Sequence, residues 1–114
     1  MNKFFNTLFL LFVIFLSFSC VKCKDENPTI QVINNGDAKA NIKITDNEGK
    51  TTAIPELNSG SISQKENYAS GKTTFHYKIG SIDSTEIINT NTCVDYNVTI
   101  NSDHEIVLFS KKRK

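Results

Sequence analysis

The sequence predicts an all-β protein, a small antiparallel sandwich of about seven to eight strands behind a short segment of export character. Three observations carry this. Apolar and polar residues alternate with a period of two from Asn27 onward, as successive strand side chains facing opposite ways require. Turn-forming residues interrupt the alternation at short intervals. No window beyond the first twenty or so residues places apolar side chains at helical spacing.

The elements follow in order. Ile30 and Val32 mark a first strand, with Ile33 on its other face, and Asn34-Asn35-Gly36-Asp37 turns it. Ala40, Ile42 and Ile44 alternate with Asn41, Lys43 and Thr45, and Asp46-Asn47-Glu48-Gly49 supplies the next turn from residues that tolerate positive φ. A short segment, Thr51 to Ile54, is expected to end at Pro55, which has no N–H to give a ladder. Asn58-Ser59-Gly60, Ser70-Gly71 and Gly80-Ser81 mark further reversals. Between them lie a polar strand around Ile62, the run Phe75, Tyr77, Ile79, and a segment through Ile87. Tyr96, Val98 and Ile100 alternate with Asn97, Thr99 and Asn101. After a turn at Ser102-Asp103, the run Ile106-Val107-Leu108-Phe109 is apolar on both faces, which predicts a central or doubly covered strand. The expected core takes its residues from all of these, including Ile54, Leu57, Ile62, Ile87, Ile106 and Leu108. Together they describe a sandwich of immunoglobulin-like or similar type over residues 29–110.

Residues 1–19 are excluded from the fold. Lys3 precedes an apolar run from Leu8 to Phe18, and Ser17 and Ser19 lead to Cys20. A charged start, a short apolar middle and small residues at a cut are the order of an export signal. The run is 11 residues, while a helix crossing the hydrocarbon core needs about 20. Ser17-Phe18-Ser19-Cys20 resembles the lipobox of bacterial lipoproteins, with Ser17 where that family favours Leu. The resemblance implies that a diacylglycerol group is placed on the Cys20 sulfur, that the chain is cut before Cys20, and that the freed amine is acylated with a palmitate-type chain. At about 0.8 kcal/mol per buried methylene, two or three such chains anchor stably where one does not. Cys23, preceded by Val21 and Lys22, fits the pattern far worse. An ordinary secretory cut after Ser19 is the alternative.

Residues 20–28 read as a tether. Within it Lys24-Asp25-Glu26 is similar to the tag of one lysine and two acids in surface lipoproteins of Bacteroidetes. The stretch Leu57-Asn-Ser-Gly60, Tyr68-Ala-Ser-Gly71 and the Val32-Ile-Asn-Asn-Gly36 opening resembles small sandwich domains of bacterial surface lipoproteins. These resemblances imply a lipid-anchored protein of the cell envelope, in the outer membrane or at the cell surface.

Charge narrows the partners. The whole chain has 13 basic and 12 acidic side chains. Four of the basic ones form the basic tail Lys111-Lys112-Arg113-Lys114, expected to be a frayed, soluble end, with contact to an anionic membrane surface as the alternative. From Cys20 to Ser110 the balance is 8 basic against 12 acidic, or −4, which argues against a nucleic-acid partner. Chemistry-bearing residues are sparse. His76 alternates onto a wet face, and His104 follows Asp103 at a strand entry; a metal site needs several such ligands to converge. Asp46-Asn-Glu-Gly49 lacks the order of acids and the closing Glu of a calcium loop. No glycine-framed nucleophile occurs. The expectation is therefore no enzyme, no catalytic residue, no metal and no cofactor, with a protein or glycan partner left open. Asn97-Val-Thr99 is a glycosylation sequon, which keeps a secreted eukaryotic-type glycoprotein as an alternative, beside a small hydrolase accessory protein. With Cys20 as the lipidation site, Cys23 and Cys93 remain as a candidate disulfide.

Overall fold

The computed structural model describes residues 23–113. The export segment, Cys20, Lys22 and Lys114 lie outside the described residues. Within them the alternation resolves into eight strands: β1 (Thr29–Asn34), β2 (Ala40–Thr45), β3 (Thr51–Leu57), β4 (Glu66–Asn67), β5 (Gly71–Ile79), β6 (Ile82–Thr90), β7 (Val94–Ile100) and β8 (Ile106–Lys112). They form two four-stranded sheets, β4-β1-β7-β8 and β3-β2-β5-β6, packed as a small β-sandwich. All pairs are antiparallel except β1 and β7, which run parallel with Ile30 beside Tyr96 and Val32 beside Val98.

The inward residues of both sheets make one core. Ile30, Val32, Ile42, Ile44, Phe75, Tyr77, Ile79, Tyr96, Val98 and Ile100 are buried as the alternation requires. Ile54 and Ile106 are half-buried and pack against them. The core also takes Ala40, Tyr68 and Ile88. Three expected members are outside it. Ile62 and Ile87 are 59% and 58% exposed, and Leu108 is 43% exposed. Ile62 makes only an isolated bridge to Ile33. Since Ile33 alternates with buried Val32 and Asn34, both side chains lie on the outer face of their sheet. In β6 the pairing Thr73↔Ile88 turns Ile88 inward and its neighbour Ile87 outward.

Two expectations about strand ends change. β3 continues through Pro55 to Leu57. It lies at a sheet edge, and its register with β2 shifts between Ala40 and Ile42. Proline costs no ladder bond at such a bulged edge. Glu56, at φ 50, turns its N–H to the Asn41 side-chain oxygen at 3.0 Å. At the other extreme, Lys111 and Lys112 are strand rather than loose tail, paired with Asp95 and Val94. β8 itself is an edge strand, not a central one.

The sheets are stapled at one end by Asn34, which is fully buried. Its amide donates to the carbonyls of Ala38 (2.9 Å) and Leu57 (2.8 Å), and its side-chain oxygen accepts the Gly36 N–H at 2.9 Å. A buried amide so satisfied fixes the crossing from β1 to β2. Gly36 is required there by space: a Cβ would meet Ile79 Cδ1 at 2.8 Å.

Candidate functional site

The end of the sandwich where the described chain begins is the most heavily tied region. Cys23 and Cys93 are joined by a disulfide, with Cα atoms 5.8 Å apart and 70 residues between them in sequence. The Cys93 N–H donates to the Glu26 carbonyl at 2.8 Å, and the Arg113 N–H donates to the Cys93 carbonyl at 2.8 Å. The Arg113 guanidinium then donates to Asp95, Glu26 and the Asn27 carbonyl, each at 2.9 Å. Asp95 also accepts the Thr29 hydroxyl at 2.6 Å. That hydroxyl and the Arg113 guanidinium outweigh partial burial and hold the Asp95 carboxyl below its ordinary range. Residues 23–28, the start of β1 and the end of β8 thus form one block.

Beside this block the outer face of the β4-β1-β7-β8 sheet carries an open depression of about 610 Å³, lined by Gln31, Asp95 and Asn97 with the cationic Lys65, Lys111, Lys112 and Arg113. A surface of this kind suits anionic groups, and its lysines are exposed. Lys24, Asp25 and Glu26 are also exposed. Asn97 lies within β7 with Gln31 of β1 on one side and Phe109 of β8 on the other, whereas a glycosylated sequon belongs to a surface loop.

The two histidines go to different places. His76, on the outer face of the other sheet, hydrogen-bonds Asp83 across the β5–β6 pair. His104, in the β7–β8 turn at φ 65, bonds Asp37 rather than neighbouring Asp103, at 2.7 Å. This bond, with the charge of the ring, lowers the Asp37 carboxyl. The His104 carbonyl accepts the Tyr77 hydroxyl at 3.1 Å, so the pair ties the β7–β8 turn to the β1–β2 connection. No described serine, threonine or cysteine side chain hydrogen-bonds either imidazole.

Asp46 has a structural task. Burial alone would raise its carboxyl, but the N–H groups of Ala69, Lys50 and Glu48 donate to it at 2.9, 2.9 and 3.0 Å and carry it below the ordinary value. Its oxygens bind the β2–β3 turn to the β4–β5 connection. Tyr68 in that connection is buried under the Lys50 ammonium, 5.3 Å from the ring centroid. In the sequence Tyr68 stands among small turn residues, yet it is core; an aromatic residue in such company is the signal of its burial.

Three features of this surface went unread in the sequence: the Arg113 hub, the cationic depression and the unpaired edge of β8. Each depends on which strand lies beside which. No family model and no curated protein matches the chain.

Proposed function

We propose that this chain is a lipid-anchored, non-enzymatic module of a bacterial cell envelope, held in the outer membrane or at the cell surface through acyl chains on Cys20. The observation that carries the reading is the position of Cys23. It is fixed by its disulfide to the end of the sandwich and follows Cys20 by three residues. Three residues span at most about 10 Å. An anchor on Cys20 therefore keeps this end of the domain within reach of the headgroups, and Lys111 and Lys112 are exposed at that same end. Each such cation near an anionic surface contributes about 1 kcal/mol of attraction. The exposed Lys24-Asp25-Glu26 lies beside the anchor, where an export tag of the Bacteroidetes kind would be read. The role that fits is display or binding of a protein or glycan by a rigid sandwich.

The test is metabolic labelling with a radioactive fatty acid in a bacterial host. The reading expects label on the protein that disappears in Cys20→Ala and persists in Cys23→Ala. A protein that takes no label, or keeps it without Cys20, rules the anchor out.

A further inference from the structure

We infer that β8 is a self-association strand, through which two copies of this chain join their β4-β1-β7-β8 sheets edge to edge. A sheet edge is a template for another strand unless something blocks it. Three of the four edges here are blocked. β4 is two residues long. β3 carries Pro55 and the bulge. β6 carries the charged Asp83 and Glu86 and the polar Thr85 and Asn89, all exposed along its edge, and charged side chains on an edge strand deter a further strand. β8 has none of these devices along Ile106–Ser110, and Val107, Leu108 and Phe109 are 37%, 43% and 59% exposed. No described strand covers its outer edge.

The hydrogen-bond pattern fixes which groups are free. The Asn101 N–H donates to Glu105, and the Arg113 N–H to Cys93. Odd-numbered residues of β8 therefore face β7, and Ile106, Leu108, Ser110 and Lys112 turn their N–H and C=O outward.

Charge then selects the occupant. β8 is entered from acidic Asp103 and Glu105 and leaves through basic Lys111 and Lys112. Neither Glu105 nor Lys111 has an ion-pair partner among the described residues. A second copy running antiparallel, with the two-fold axis at Leu108, joins outward-facing residues to one another. Leu108 meets Leu108, and Ile106 meets Ser110. On the outer face Val107 meets Phe109 and Glu105 meets Lys111, twice by symmetry. A parallel copy in register would set Glu105 on Glu105 and Lys111 on Lys111. Because the two-fold axis sets the two anchored ends at opposite ends of the strand pair, copies tethered in one membrane meet this way with their strands along the membrane plane. The pairing itself does not require the anchor.

The experiment introduces single cysteines into the full-length chain, isolates the membranes and oxidises them mildly, with the wild-type chain as background. In such a ladder the Leu108 Cα atoms lie about 5.5 Å apart and those of the non-hydrogen-bonded Val107–Phe109 pair about 4.5 Å, both within disulfide reach. Leu108→Cys should give a homodimer band. Val107→Cys and Phe109→Cys should link only when the two variants are co-expressed. Glu86→Cys should stay at background. In sedimentation of the purified protein, Glu105→Lys or Lys111→Glu alone should weaken dimerisation about two- to tenfold, and the double swap should restore it. Leu108→Cys at background, equal linking at 107, 108 and 109, a link to a different protein in place of the homodimer, or a monomeric wild type would each overturn the inference.

Discussion

Breaking the Cys23–Cys93 disulfide gives the sharpest test of the tied end. The bridge closes a loop of 70 residues, and the chain-entropy model assigns about 4 kcal/mol to a loop of that length. Measured losses for native bridges in small exported domains run from about 2 to 5 kcal/mol. The lower part of that range fits here, because reduction leaves the Arg113 bonds to Glu26, Asn27 and Asp95 in place, and they still hold residues 26–28 to the sandwich. The expected loss is therefore roughly 2–4 kcal/mol, or on the order of 10–25 °C in Tm for a domain of this size. The assay is urea unfolding of the purified protein with and without reductant, followed by thermal unfolding of Cys23→Ser, Cys93→Ser and the double variant. Since one bond is lost in all three, the double variant should cost little more than the worse single one. A loss below about 0.5 kcal/mol, or additive single costs, would refute the account of this end. Alkylation after full reduction adds a readout: two thiols if Cys20 is lipidated, three if it is not.

Four other expectations follow from the packing. Asn34→Ala removes the partners of two carbonyls and one N–H inside the fold and should cost about 2–4 kcal/mol in urea unfolding; a cost under 1 kcal/mol would contradict the staple. Gly36→Ala places a methyl against Ile79 and should cost about 1–3 kcal/mol, partly recovered by Ile79→Val in the same assay. Asp46 and Asp95 give up their protons more readily folded than unfolded, so unfolding takes protons up. Their stabilisation is whole well above the unfolded value near 3.9 and drains as pH falls through it towards the lower folded values. Acid titration of stability should show this loss below about pH 4.5, and Asp46→Asn should flatten it; an unchanged profile would remove Asp46 from the explanation. In the dilute monomer Phe109→Ser, on an exposed face, should change stability by less than about 0.5 kcal/mol, and a large loss there would mean that β8 is covered within its own chain.

Alternation in β2, β5 and β7 made those strands legible, because each has one face in the core and one in solvent. It did not separate Ile87 from Ile88: two adjacent isoleucines satisfy either phase, and only the register with Thr73 decides. It also misplaced β8. An apolar run reports which faces are apolar, not what covers them, and an exposed apolar edge strand reads like one buried in its own sheet. Pro55 looks like a terminator in the sequence because a bulge at a sheet edge cannot be inferred without knowing where the edge is. The parallel β1–β7 pair and the Arg113 hub join residues far apart in sequence. Cys23 and Cys93 could be paired by counting, since only two cysteines remain when Cys20 is set aside. Asn34 and Asp46 were legible as turn residues, while their further reach, to Leu57 and to Ala69, was not.

The anchor on Cys20 decides the cellular reading, and the mass of the first peptide of the mature protein tests it most directly. The account predicts a peptide that begins at Cys20 and carries the added mass of a diacylglyceryl group with an acylated amine. A peptide that begins at Cys20 or elsewhere with no lipid on it would contradict the account.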